Sequence, residues 1–176
     1  ITCVISSNPD AYALERAEKN NIKTRVLTRK SFPDSVTYSR AVLSALDEEK
    51  ADLVVLAGFM TILTEDVTKA YAYRIINVHP ALIPSFCGAG YYGLKVHEAA
   101  LAYGVKYSGA TVHFVTAECD AGPIILQKAV EVVEGDTPET LQKRIMEQAE
   151  WKILPKAVQL FCDGKVEVVD GKTVIK

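Results

Sequence analysis

Apolar positions follow two spacings along this chain, and the alternation between them sets the fold class. Short β-rich runs are separated by stretches with helical periodicity, the pattern of a parallel sheet covered by helices on both faces. Ile1 to Ser6 reads as a strand and Ala11 to Lys19 as a helix; Thr24 to Leu27 reads as a second, short strand. Tyr38 to Glu48 is a helix with Val42, Leu43 and Leu46 on its inner face. Leu53-Val54-Val55-Leu56 is a continuous apolar run, as expected of a strand buried on both faces. Thr64 stands where a cap would open a helix to about Tyr71, and Arg74 to His79 is the next strand. Pro80 stops that strand because it brings no amide hydrogen to the ladder.

Residues 80 to 93 lose this periodicity. Pro80, Pro84, Gly88, Gly90 and Gly93 fall there, so the segment is a loop, and long ordered loops are often functional. A helix over Leu94 to Tyr103 follows, then strands over Gly109 to Thr116 and Ile124 to Val133. Thr137 opens a long helix through Leu160, which Pro155 is expected to bend or split. Lys165 to Val169 and Thr173 to Ile175 form a hairpin about Asp170-Gly171. There is no internal repeat, low-complexity stretch or linker. The expectation is one α/β domain over residues 1–176, doubly wound about a mostly parallel, Rossmann-like sheet.

Composition narrows the function classes. A formal net charge of -2 disfavours a protein that grips many phosphates, so no nucleic-acid partner is expected. No apolar run is long enough to span a bilayer, and Ile1-Thr2-Cys3-Val4-Ile5 lacks the basic flank and cleavage pattern of a secretory signal. Neither membrane nor export is indicated. Cys3, Cys87, Cys119 and Cys162 have no C-x-x-C spacing and no His cluster beside them. They read as free thiols in a reducing cytoplasm, with no metal site.

Candidate chemistry gathers at two places. Asn77 and His79 are two apart on a strand, so their side chains share one face, and Pro80 puts them at the carboxyl end where open α/β sheets bind ligands. An amide donor beside an imidazole can hold the oxyanion formed when a nucleophile adds to a carbonyl. Asn and His are also ordinary residues of strand ends. Asp120 lies in the turn Glu118-Cys119-Asp120-Ala121-Gly122-Pro123. It can bond its own backbone there, or, if the turn folds over the strand edge, reach His79 and favour the protonated ring. Leu56-Ala57-Gly58-Phe59-Met60-Thr61-Ile62-Leu63 is apolar enough either to flank a flat heterocycle or to pack as core.

Three blocks then arrive in order. They are Leu53-Val54-Val55-Leu56-Ala57-Gly58-Phe59-Met60; Ile76-Asn77-Val78-His79-Pro80-Ala81-Leu82-Ile83-Pro84-Ser85-Phe86; and Gly109-Ala110-Thr111-Val112-His113-Phe114-Val115 with Asp120-Ala121-Gly122-Pro123. Together they resemble the phosphoribosylglycinamide formyltransferase family, and the resemblance runs from residue 1 to the terminal hairpin. It implies transfer of a formyl group from 10-formyltetrahydrofolate to the amine of glycinamide ribonucleotide in purine synthesis. It further implies that Asn77 and His79 meet the formyl oxygen and that Asp120 orients and charges the histidine. The resemblance assigns folate-binding walls to Met60, Thr61, Ile62 and Leu63 and to Val115, Thr116, Ala117, Glu118, Cys119 and Asp120. It gives Glu150 the role of a carboxylate that holds the ribonucleotide, implies no metal, and makes Ile83-Pro84 a candidate cis peptide.

Two departures qualify the resemblance. Many family members have Arg where this chain has Thr61, so one folate contact is expected to be absent. Ile1 aligns with what is normally the family's second strand, so the first strand and its phosphate-wrapping loop have no counterpart here. The expectation is that an upstream segment, or another chain such as a homodimer partner, completes the sheet. Other readings are a formyltetrahydrofolate hydrolase, a transferase acting on aminoacyl-tRNA, or a folate-binding remnant without catalysis. The acidic charge balance weighs against the tRNA enzyme.

Overall fold

Two parallel ladders come first in the chain. In the computed structural model, which describes residues 1–176, β1 (Cys3–Ser6) pairs with β2 (Lys23–Val26) across α1 (Tyr12–Lys19). β3 (Val54–Leu56) pairs with β4 (Ile75–His79) across α3 (Glu65–Ala70). Between the ladders, a 3-10 turn at Arg29–Ser31 leads to α2 (Ser35–Glu48), whose first turn is closed by the Asp34 carboxylate accepting from the Thr37 amide at 2.7 Å. After α4 (Leu94–Tyr103) the direction changes. β5 (Tyr107–Phe114) runs antiparallel to β4, and β6 (Ile124–Glu131) antiparallel to β5, giving one sheet in the order β3-β4-β5-β6. α5 (Pro138–Ile145), a π turn at Met146–Glu150 and α6 (Trp151–Cys162) follow, and β7 (Val166–Val169) and β8 (Lys172–Ile175) close the chain as a hairpin. Asp170 and Gly171 have φ of 49° and 72°, the left-handed pair that a two-residue turn of this hand requires.

β4 is the strand on which the fold turns. Its neighbours Ile75 and Ile76 are both fully buried, and strand alternation sends them to opposite faces. Ile75 joins Tyr38, Val42, Leu46, Val67 and Tyr71 beneath α2 and α3, whereas Ile76 joins Val112, Phe114, Leu141, Ile145, Ala149, Ile153 and Ala157 beneath α5 and α6. Asn77 and His79 continue the face of Ile75. No helix is long and apolar enough to cross a membrane.

Several expectations change against this frame. β3 is an edge strand, with hydrogen bonds to β4 alone, and Val55 is 40% exposed. The run is therefore not covered on both faces: Val54 and Leu56 pack against the core beneath α2 and α3, and Val55 points to the opposite face. Thr64 occupies the N-cap position of α3, but its hydroxyl caps nothing; it is buried without a protein partner, while the Thr64 amide donates to Ser39 Oγ at 3.2 Å. The long C-terminal helix departs from α geometry in the π turn, one turn before Pro155, and α6 carries Pro155 inside it. A proline removes a donor and crowds the carbonyl four residues back, here that of Trp151, where the wide turn gives way to α6.

His97 sits fully buried on α4, and neither ring nitrogen has a protein partner. Burial, with the neighbouring His79 adding to it, pushes its pKa down to about 4. A depressed histidine contributes stability above its unfolded value of about 6.5 that is lost as pH falls through the folded value. Urea unfolding should therefore show the protein weakening between about pH 6.5 and pH 4. His97→Gln should reduce that loss by up to about 3 kcal/mol, and an unchanged pH dependence would show that the ring is not excluded from charge.

Candidate active site

The antiparallel pairing of β4 with β5 assembles a polar patch inside an apolar sheet. Asn77 lies opposite His113 and His79 opposite Thr111, so four polar side chains share one face. Each strand supplies its pair by alternation. Ala110, Val112 and Phe114 of β5 point the other way, into the core cluster of Ile76. His79, Thr111 and His113 are buried, and Asn77 is half-buried.

Asp120 is brought over the patch by the turn between β5 and β6. Its own backbone is left-handed, φ 56°, a conformation aspartate tolerates better than most residues. The next turn residue but one, Gly122, lies so close to β5 that a Cβ would run into the Phe114 carbonyl oxygen. Asp120 then stands between two imidazoles, with Oδ2 3.5 Å from His79 Nδ1 and Oδ1 3.5 Å from His113 Nε2, and Oδ2 accepts from the Gly88 amide at 2.9 Å. Burial opposes its charge, but the His113 contact, the Gly88 amide and the fields of both rings outweigh that and hold its pKa down to about 2.

The histidine hydrogen bonds fix how the patch can act. His113 Nδ1 lies 2.9 Å from the Phe114 carbonyl oxygen and must donate to it, so in the neutral ring Nε2 accepts from Asn77 Nδ2 at 3.2 Å. Asn77 is thereby oriented, and the second hydrogen of its amide nitrogen remains for a ligand. His79 Nε2 lies 2.8 Å from the Phe86 carbonyl oxygen and donates to it, which turns Nδ1 to Asp120. Two acceptors facing the ring favour imidazolium, yet burial is the larger effect and sets the pKa of His79 below its ordinary value, with His113 adding to the depression. The expectation that Asp120 would leave His79 titrating above its reference value is corrected on this point: the carboxylate pulls upward, and desolvation pulls downward further.

The loop over residues 80 to 93 is held against the patch. Ile83-Pro84 is cis, Phe86 has φ 50°, and Thr111 Oγ1 donates to the Ala81 carbonyl at 2.7 Å while accepting from the Ile83 amide at 3.1 Å. His113, Thr111, Phe86 and Gly88 were given no role by the reading of the sequence. A signal for the first two was present, since Thr111 and His113 are polar positions two apart that alternate with the apolar Ala110, Val112 and Phe114. The backbone groups of Phe86 and Gly88 have no signature in residue type.

The remaining candidates are more dispersed. Met60 and Ile62 project from the segment after β3, 62% and 67% exposed, whereas Leu63 is buried in the core beneath α2 and Phe59 packs against that core. Val115 packs on the same cluster, so both expected folate walls border it. Val115, Thr116 and Ala117 also line a cavity of about 200 Å³ with Glu65, Thr68, Lys69, Ala72 and Tyr73, and Met60 to Leu63 do not line it. Glu118 and Cys119 are exposed. Glu150 ends the π turn; its half-buried carboxyl is pushed up by burial, and no hydrogen bond joins it to Asn77, His79 or Asp120. No three His, Cys, Asp or Glu side chains come together as ligands for a metal.

Residues 1–158 match the model of the formyl transferase family. The chain is 39% identical over 168 residues to a phosphoribosylglycinamide formyltransferase of Escherichia coli (strain K12), covering 96% of this chain and 76% of that protein. It is 42% identical over 168 residues to the trifunctional purine biosynthetic protein adenosine-3 of Bos taurus, where the match covers 96% of this chain and only 16% of the relative. The crystal structure of glycinamide ribonucleotide transformylase 1 from Symbiobacterium toebii superposes with a TM-score of 0.93 at 40% identity, covering 99% of this chain and 80% of that one.

If the carboxylate supports the ring charge, Asp120→Asn should lower the His79 pKa below its already depressed value, because the upward pull is removed and burial remains. An NMR titration of the ring protons in parent and variant measures this. A His79 titration that does not move, or moves upward, would disprove the coupling.

Proposed function

The chain belongs to the formyl transferase family, and we propose that it transfers a formyl group from 10-formyltetrahydrofolate to the amine of glycinamide ribonucleotide, in de novo purine biosynthesis. The observation that supports this reading most is the joined set Asn77, His113, Asp120 and His79 on one face of β4 and β5. It combines a free amide hydrogen, a buried imidazole and an ionised carboxylate within one patch.

Formyl transfer needs those three groups. The amine of the acceptor, with a pKa near the α-amino reference of about 8, is partly neutral and nucleophilic at neutral pH. Its attack on the formyl carbon creates an alkoxide and a cationic nitrogen. Asn77 donates to the alkoxide through the hydrogen that His113 leaves free. His79 joins when the substrate oxygen replaces the Phe86 carbonyl at Nε2, and a ring charged at that stage is matched by Asp120. Asp120, directly or through a water, helps remove the proton from the cationic nitrogen, and collapse of the alkoxide then breaks the bond between the formyl carbon and the folate nitrogen, which takes up a proton and leaves as tetrahydrofolate. No covalent enzyme intermediate is required.

The folate is placed along Met60, Thr61, Ile62 and Leu63 and along Val115, Thr116, Ala117, Glu118 and Cys119. The exposed Met60 and Ile62 suit a flat heterocycle, since apolar surface beside a polar centre commonly takes a ligand. Glu150, whose carboxyl has no protein partner, is assigned to the ribonucleotide. The partners are thus small molecules, and the four free cysteines fit a cytoplasmic setting. A further extended segment, from the same polypeptide or a partner chain, is proposed to seat along the unpaired edge of β3, where Val55 is exposed. Amide hydrogen exchange at Val54–Leu56 should slow when that segment is present, and equal exchange with and without it would reject the pairing.

The test of the activity is to supply both substrates to the purified protein and follow tetrahydrofolate release together with formylation of the ribonucleotide. Formate release without the amine would favour the hydrolase reading, and folate binding without turnover the remnant. His79→Ala and Asp120→Ala should each cut transfer by at least about a hundredfold with folding preserved, the usual contribution of an oxyanion or acid–base group. The double variant should be little worse than the worse single one, because groups acting as a unit are not additive. Losses of only a few-fold in both single variants would remove the assignment.

A further inference from the structure

The polar row that begins at His79 does not end at Thr111. Thr111 pairs across β5 and β6 with Gln127, so His79, Thr111 and Gln127 stand side by side on three adjacent strands. That alignment depends on an irregularity. His113 pairs with Ile124, and unbroken antiparallel register would then set Ile125 against Val112 and Leu126 against Thr111. A β-bulge between Val112 and His113 adds one residue to β6, so that Leu126 meets Val112 and Gln127 meets Thr111. Ile125, the residue the bulge passes over, is buried in the core cluster of Ile76. A bulge interrupts ladder hydrogen bonds and is found where a strand must re-aim a side chain.

Gln127 uses both donors of its amide. Nε2 donates to Thr111 Oγ1 at 3.0 Å and to the Ile83 carbonyl at 2.9 Å. The Thr111 hydroxyl, accepting from Gln127 and from the Ile83 amide, spends its own hydrogen on the Ala81 carbonyl. Residues 81 to 83 are thus tied to the sheet from β6. Three residues further on, the same loop gives the Phe86 carbonyl to His79 Nε2 and the Gly88 amide to Asp120 Oδ2.

We propose that Gln127 is a positioning residue for the formyl-transfer site: the β6 bulge delivers its amide to Thr111 and Ile83, and this tether sets the loop path that orients His79 and Asp120. Gln127 touches no reacting atom. It acts at one remove, by keeping His79 as the Nε2–H tautomer against Phe86 with Nδ1 toward Asp120. The kinetic part of this inference rests on the formyl-transfer reading above, while the orientation of His79 is a property of the protein alone.

The experiment therefore has two readouts on the chain of residues 1–176. Gln127→Leu removes both donors at similar length, Gln127→Glu keeps the shape and sets an acceptor against two acceptors, and Lys128→Leu is a control on the same strand. The ¹⁵N shifts of the His79 ring should report one Nε2–H tautomer in the parent and the control, and a mixture in both Gln127 variants. Formyl transfer in the Gln127 variants should show kcat lower by on the order of tenfold, with the folate KM changed less than about twofold, because misplaced groups lose rate before binding. Melting temperatures should match that of Lys128→Leu. Ring shifts and kcat that stay at parent values would overturn the proposal, as would a kcat loss that Lys128→Leu shares or that follows a fall in melting temperature. If the parent shows no formyl transfer, that reading of the site fails, and the ring shifts still decide the role of Gln127.

Discussion

A carboxylate kept charged where burial resists charge needs favourable partners on several sides at once, and Asp120 draws those partners from parts of the chain far apart in sequence. Gly88 reaches it from the loop after β4, His113 from β5 and His79 from the end of β4. Each source must be held for its contact to persist. The loop is tied by Thr111 and Gln127, the strands by their register, and the turn bearing Asp120 by the absence of a side chain at Gly122. Much of the conformational specificity of this half of the molecule, including the left-handed backbone at Phe86 and Asp120, can be understood as geometry around one negative charge.

The two histidines of the patch are held to different ends. His113 is locked by a backbone carbonyl, so its remaining nitrogen is available to orient Asn77. His79 is bonded by a carbonyl on a loop, which a ligand can displace more readily than one in a sheet. The division explains how a neutral, buried resting site can still respond to substrate. Charge at His79 is costly while the ring is enclosed and unopposed by a substrate oxygen, and becomes favourable when developing negative charge arrives beside it.

Elements with a local signature were legible in the residues. The helix read over Ala11 to Lys19 is observed over Tyr12–Lys19, and the helix over Leu94–Tyr103 and the terminal hairpin lie where periodicity and Asp170-Gly171 place them. Asn77 and His79 could be paired on one face because alternation and Pro80 are both local facts. What could not be read was set by long-range register or by burial. The role of His113 depends on which residue of β5 faces Asn77, that of Gln127 on a bulge, and the direction of the His79 pKa on how much water the finished fold excludes. Val55 shows the converse case: an apolar run implies two covered faces, but only what packs over the finished sheet decides whether both are covered. At Pro155 the residue type signalled an irregular helix, and the irregularity falls one turn earlier, at Met146–Glu150.

That π turn has a bearing on how the gene can change. A π turn accommodates an extra residue within a helix that otherwise keeps its direction, and each residue of an α-helix advances about 100°. A wide turn advances less per residue than an α-helix, so deleting one residue from 146–150 would leave a regular helix with Ile153 and Ala157 still facing the core cluster they join. A change of one residue in length can be absorbed there, whereas elsewhere in these helices it would turn the covered face away from the sheet. The C-terminal helices thereby keep one turn at which residue number can change without moving the face they bury, and Glu150 stands at the end of that turn.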